Sequence, residues 1–261
     1  MTNTTRTDLV SLLAEPSALT TAGLPHSNFA GPLYMQVANI LRSKICADEW
    51  TPRAPLPNEV VLARDIGVSI GTMRKALEVL EDEHLVERRQ GRGTFVVESS
   101  VETELERFSN VVLAGRKVRA NAVKWTVTQG ATSAEEARAL FLRDGAEVFR
   151  LEAVWKADAV TCVERITVSA ARFPALPEHL AEGGQFLFPI YRRHYHEPIA
   201  KVVECVSAVH ATDRDAHLLD VDPGAPVLHV CRIAYALSGP AVEWSRRTMH
   251  LGDADYVVRM T

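Results

Sequence analysis

Between Leu33 and Val97 the apolar residues switch from a helical to a strand period, and residues that stop helices punctuate the run. Leu33, Val37, Ile40, Leu41 and Ile45 recur at helical spacing and predict a helix over about 33–47. TPRAPLP follows, and prolines at positions 52, 55 and 57 cannot continue a helix. Asn58 is an N-cap candidate with Glu59 in the first turn; Val60, Val61, Ala63 and Ile66 support a short helix ending before Gly67. Ser69 is a second cap candidate. Met73, Ala76, Leu77 and Leu80 then form one apolar stripe, predicting a helix over about 70–83 with Ile70, Arg74, Lys75 and Glu78 outside the stripe. LVERR and GTFVV read as strands joined by Gln90-Gly91-Arg92-Gly93, a hairpin tip. Three short helices and an arginine-tipped hairpin leave few folds open.

Charge must be read locally. The 261 residues carry 29 Lys+Arg and 33 Asp+Glu, a net charge of −4, so bulk charge does not announce a nucleic-acid binder. Across 31–97 acids offset bases, yet the two separate. Arg64, Arg74, Lys75, Arg88, Arg89 and Arg92 gather near the start of the third helix and at the hairpin tip, while Glu78, Glu81, Asp82 and Glu83 gather at the helix's far end. A DNA-facing edge needs that polarity, because arginines neutralise phosphates and a helix start with small side chains fits a major groove.

The rest of the chain is ordinary globular material: 47% hydrophobic and 24% charged residues, and a length matching about two domains. No apolar run approaches the roughly 20 residues that span a bilayer, and no basic start precedes an apolar stretch. The four cysteines are scattered without a C-x-x-C pair, which argues against a zinc cage and fits a reducing cytoplasm. His194 and His196 lie two apart beside Glu197, but further ligands are not visible there, and no metal is expected. No nucleophile elbow, Walker or dinucleotide fingerprint appears, so no cofactor is expected. Residues 1–30 read as a flexible tail, 31–97 as the three-helix and hairpin unit, 98–120 as a polar linker and 121–261 as a second domain. In that domain SAEEARALFL reads as a helix with a capping box at Ser133 and Glu136. Two long hairpins, turning near 157–160 and at 238–240, with intervening helices, predict an α+β domain on an antiparallel sheet.

The first unit closely resembles the winged helix-turn-helix of GntR-family transcription regulators. PLY opens the first helix, LP-x-E the second, GVS-x-x-T-x-R-x-AL the third, and LV-x-R-x-GRGTFV is the wing. SAEEARALFL, RFPAL, VDPGAPVLHVCRIAYA and PAVEWS before GDADY are similar to UTRA, the ligand-sensing domain of the HutC-type subfamily, whose fold is like that of chorismate lyase. The resemblance implies a cytoplasmic homodimer that binds double-stranded DNA at an inverted repeat and is released by a small-molecule effector. It implies DNA contacts at Asn58, Arg64, Ser69, Ile70, Gly71, Thr72, Arg74, Lys75, Arg89, Gln90, Gly91, Arg92, Gly93 and Thr94. Arg92, between two glycines, is the wing-tip candidate for a narrow groove; Arg64 and Lys75 are expected on phosphates. Most relatives have an arginine where Ile70 stands, and an isoleucine could instead meet a thymine methyl.

For the effector the expected residues are Ala153, Trp155, Glu164, Phe186, Glu243, Ser245 and Arg247. Strand alternation sets Ala153 beside Trp155 on one face, Glu164 on an apolar face of the next strand, and Glu243, Ser245 and Arg247 on one face of a late strand. Glu164 is either a salt-bridge member or a ligand hook, since a lone buried carboxylate is costly. Relatives carry arginines where Ala153 and Trp155 stand. Their absence argues for a pocket walled by Trp155 and Phe186, with Glu164 and Glu243 attracting an amine or hydroxyls. Two rival expectations remain: a lyase built on the chorismate-lyase-like domain, or a DNA-binding protein with a vestigial sensor.

Overall fold

A computed structural model describes residues 32–258, apart from 47–48, 53, 84, 99–104, 106, 121–122 and 238. The expected tail, 1–30, lies outside the described residues. The first unit holds α1 (Leu33–Cys46), α2 (Glu59–Ile66), α3 (Ile70–Asp82), β1 (Val86–Arg89) and β2 (Gly93–Val96). Both predicted caps form. Asn58 accepts a hydrogen bond from the Val61 amide at 2.9 Å and Ser69 from the Thr72 amide at 3.1 Å. Gly67 ends α2 at φ 79°, a left-handed geometry that a side chain would strain.

The apolar stripes meet in a core of Val37, Leu41, Ile45, Leu62, Met73, Leu77 and Leu80, all buried. Each such side chain contributes roughly 1.5–3 kcal/mol through burial. Leu33 and Ile40, part of the same sequence pattern, stay exposed. The end of α3 is tied to α1 where Arg42 Nε donates to Glu83 Oε2 at 2.8 Å. β1 and β2 pair antiparallel, Val86 opposite Val96 and Arg89 opposite Gly93. The proline-rich connection straps the base of this hairpin: Pro55 bridges Phe95, and the Leu56 amide donates to the Thr94 carbonyl at 2.7 Å.

The second unit is built on a six-stranded antiparallel sheet ordered β5-β6-β7-β10-β9-β8. Its strands are β5 (Thr126–Ala131), β6 (Glu147–Ala157), β7 (Val160–Ser169), β8 (Ile199–His210), β9 (Pro226–Ala236) and β10 (Ala241–His250). The hairpins β6–β7 and β9–β10 are the two expected from sequence, and β7 pairs with β10 to join them at the sheet's centre. One face is covered by α4 (Ala134–Leu140), whose capping box forms, and by α7 (Asp213–Leu219). The other receives α5 (Leu176–Gly183) and α6 (Phe188–Tyr195), with Phe173, Phe186 and Phe188 packed among them. Pro189 sits in the first turn of α6, where its missing N–H costs nothing. Residues 98–120, read as polar linker, contain β3 (Val111–Leu113) and β4 (Arg116–Lys117), which form a small sheet with β11 (Asp255–Tyr256). These strands are too short to show a period in the sequence.

Candidate functional site

The first unit presents one face through the start of α3 and the hairpin tip. Ile70 is 44% exposed although it opens a helix, and Gly71 beside it is exposed too. A Cβ at Gly71 would meet only Ser69 Oγ, at 3.9 Å, so nothing inside the protein requires a glycine there. The Ser69 and Thr72 hydroxyls lie 2.9 Å apart, so Ser69 caps the helix while Thr72 shares its oxygen. Arg74 projects from the next turn and donates to Glu59 Oε2 at 3.1 Å, and Arg88 reaches Glu59 and Glu81 at 3.7 and 3.4 Å. These exposed pairs are worth little in stability, but they hold the two guanidinium groups on one side.

Arg64 lies 3.4 Å from Asp65, and Lys75 stands over the Tyr34 ring at 5.9 Å. Arg89 donates to Glu87 at 2.7 Å and lies over Phe95 at 4.4 Å from the ring centre, flat against the wing. Gln90 and Arg92 are exposed at the tip, and Arg92 lies between Gly91 at φ 68° and Gly93 at φ 105°. The two glycines adopt the left-handed backbone that turns the chain at the tip. Thr94 is half-buried at the strap.

The second unit carries a buried polar block in the middle of its sheet. Register sets Ala153, Glu164, Arg247 and Val230 in one row, and Leu151, Ile166, Ser245, Arg232 and Glu204 in the next. Glu243 follows in the row of Val168 and Ala234. Glu164 accepts from Arg247 Nε at 2.8 Å and from Trp155 Nε1 at 3.1 Å. Of its two sequence readings, salt-bridge member is therefore the geometry found. Arg232 Nε donates to Glu204 at 2.5 Å and Nη2 to the Phe108 carbonyl at 2.7 Å. Glu204 also accepts from Asn110 at 2.9 Å and from the Tyr256 hydroxyl. The Phe186 ring lies 5.7 Å from both guanidinium carbons. Arg232, Glu204, Tyr191 and Asn110 were not anticipated. An arginine flanked by apolar residues in VLHVCRIAYA was the available signal for Arg232.

Two carboxylate–guanidinium pairs balance, which leaves Glu243. Burial, the largest influence, pushes its carboxyl up to about 7; the Tyr191 hydroxyl, donating at 2.8 Å, pulls the other way, and Glu164 nearby adds to the rise. Burial also drives the Tyr191 phenol well above its usual range, with Glu243 assisting. Burial pulls Arg247 down, but Glu164 and Glu204 outweigh it and keep the guanidinium charged. Arg232 is lowered, by burial and then by Arg247. Two atoms in this block are buried without a hydrogen-bond partner: Arg232 Nη1 and Ser245 Oγ. They belong to residues directly opposite each other in the β9–β10 register, one pair removed from Glu243. Orphaned buried donors cost about 1–3 kcal/mol each. Next to Tyr191 on α6, Arg192 Nη1 donates to the Val97 carbonyl at 2.8 Å, just past the last wing strand.

A helix-and-wing unit with an arginine tip, followed by a sheet that buries an incompletely satisfied polar block, defines a two-part regulator: one part for duplex DNA, one for a small molecule. Residues 33–96 match the bacterial regulatory proteins of the gntR family and 114–254 match the UTRA domain, and the chain belongs to this GntR family, in its HutC-type branch. It is a ligand-responsive, DNA-binding transcriptional repressor. It is 28% identical over 224 residues to the histidine utilization repressor of Pseudomonas putida, covering 85% of this chain and 88% of that one. It is 27% identical over 228 residues to the HTH-type transcriptional repressor NagR of Bacillus subtilis, covering 85% and 91%. The ligand-binding domain of a GntR-family regulator from Bordetella bronchiseptica shares the fold, with a TM-score of 0.52 at 22% identity, covering 59% of this chain and 98% of that one. Among the described residues no helix is long and apolar enough to cross a membrane.

Proposed function

We propose that the chain works as a cytoplasmic homodimer that holds an inverted-repeat operator and releases it when a small polar effector enters the block around Arg232, Ser245 and Glu243. One observation carries this reading: Arg232 Nη1 and Ser245 Oγ are buried without partners beside a carboxyl that burial leaves half-neutral at neutral pH. Such groups suit a ligand that offers an acceptor to Arg232 and Ser245 and a donor, an amine or hydroxyl, to Glu243. Trp155 and Phe186 would wall the site, with Ala153 opposite Glu164 in the strand register. Glu164 itself is committed to Arg247 and Trp155, so the donor-seeking carboxylate is Glu243. Binding, not turnover, is the chemistry these residues support.

On DNA, Ile70, Gly71, Thr72 and Arg74 enter the major groove and Ser69, Asn58, Arg64 and Lys75 lie toward phosphates. Arg92, with Gln90, Gly91, Gly93 and Thr94 shaping the tip, reaches the adjoining groove or backbone, and Arg89 supports it. Two heads about 34 Å apart would read the half-sites. Residues 31–97 form the reading unit; because β3 pairs with both β11 and β4, we take the sensing unit to begin inside the 98–120 segment. Helix α6 is the proposed link. A ligand donor at Glu243 competes with the Tyr191 hydroxyl, and the neighbouring Arg192 holds the chain at Val97, so loosening α6 shifts the head population.

Fluorescence anisotropy on a palindromic promoter fragment tests this. An amine- or hydroxyl-bearing small molecule is expected to release the wild-type protein. Ser245→Ala and Glu243→Gln, with unchanged circular dichroism, should need roughly tenfold more of it, the worth of one hydrogen bond to a charged group. A ligand that releases both variants at wild-type concentration sinks the site assignment.

A further inference from the structure

We propose that His179, Glu182 and His194 form a binding site for a borderline divalent metal ion, of the zinc or nickel type, that clamps α5 to α6. His179 and Glu182 stand at i and i+3 on α5 and therefore share one face. His194 comes from the last turn of α6. One ligand atom from each lies within 4.8 Å of the others. Glu182 Oε2 is 3.0 Å from His194 Nε2, and Glu182 Oε1 is 3.5 Å from His179 Nδ1. The imidazoles are stacked, centroids 3.8 Å apart and 14° from parallel.

Two imidazoles and one carboxylate are the donor set that borderline ions favour, whereas magnesium and calcium require oxygen ligands. Ligand atoms this close could be gathered around one ion. The three side chains are only partly exposed, at 27%, 39% and 26%, so an ion would keep an open position for water and exchange readily. Arg193 Nη1 now shares Glu182 Oε2 at 3.0 Å, but its side chain is 61% exposed and can swing away. The histidine pair visible in sequence is not the site. His196 caps α6 in the left-handed region, and Glu197 pairs with Arg172 at 2.9 Å. The true partners of His194 come from the facing helix, which sequence spacing does not reveal. Because α6 carries Tyr191 and Arg192, an ion here would stiffen the helix that touches both the polar block and the end of the wing.

The test uses the full chain, stripped of metal, titrated with zinc chloride alone in a non-chelating buffer, followed by calorimetry and thermal unfolding. One equivalent per chain should bind, and at a hundredfold excess over Kd the midpoint should rise on the order of 5 °C. Magnesium chloride should do neither. His194→Ala and His179→Ala should each weaken zinc binding by more than about tenfold, since even outer-shell partners are worth that much. Glu182→Gln, the gentler change, should weaken it while leaving the metal-free midpoint near wild type. Absence of saturable binding overturns the proposal. So does zinc binding that survives in all three variants, or one that disappears only when the cysteines are alkylated.

Discussion

The DNA-reading unit and the sensing sheet bury different things. The first packs Leu41, Met73, Leu77 and Leu80 into an apolar core and pairs most of its charges at the surface. The second buries Glu164, Arg232, Glu243 and Arg247 in the middle of a sheet. An apolar core is indifferent to the order of its neighbours; a buried charge is stable only opposite its partner. The head therefore rests mainly on apolar packing, with its polar ties at the edges of the core. The sensing sheet buries polar atoms at a cost in stability, two of them without a hydrogen-bond partner.

The largest expected effect attacks that contrast directly. Arg247→Met strands Glu164 in the interior and should cost about 3–5 kcal/mol in urea unfolding, whereas the double change with Glu164→Leu should recover most of it. If the single change is mild, the pair is not dry. Leu77→Ala in the head, by comparison, should cost about 2–5 kcal/mol with no rescuing partner.

The next effect is pH dependence. With an ordinary value near 4.5 unfolded and about 7 folded, Glu243 holds a proton in the folded chain that the unfolded chain releases. Its contribution is thus fully present below pH 4.5 and is lost as pH rises through about 7, on the order of 3 kcal/mol over that window. Unfolding free energies at several pH values should show the decline, and Glu243→Gln should flatten it. An equal slope in the variant would locate the proton elsewhere.

Smaller effects sharpen the head's side of the comparison. Arg92→Ala should weaken binding to all DNA sequences and lower the slope of log K against log salt by about one, with unfolding unchanged. Gly71→Ala should stabilise the head by up to about 1 kcal/mol, because α3 gains a better helix former and the added Cβ makes only an ordinary contact with Ser69 Oγ at 3.9 Å. It should nevertheless weaken operator binding if the backbone there approaches a base. Unfolding and anisotropy on the same variant separate the two effects.

How much of this was legible follows from the same contrast. Caps at Asn58 and Ser69, the stop at Gly67, the stripe of Met73, Ala76, Leu77 and Leu80, and the hairpin tip are local patterns, and all formed. The two long hairpins and the facing of Glu164 and Glu243 were legible through alternation. Arg232 and Glu204 were not, because their meeting depends on the register of β8 against β9, which no spacing encodes. The placement of His194 against α5 was hidden for the same reason. Ile40 and Leu33 mark the opposite error, apolar residues in phase with the core that remain outside it.

The strap formed by Pro55 and Leu56 at the hairpin's base has a thermodynamic meaning. Prolines lower the disorder available to a chain before it folds, and the amide of Leu56 anchors that stiff segment to Thr94. The attitude of the wing is accordingly constrained by the fold of the unit itself. Any partner that meets the wing therefore has less backbone to order than a free loop would present.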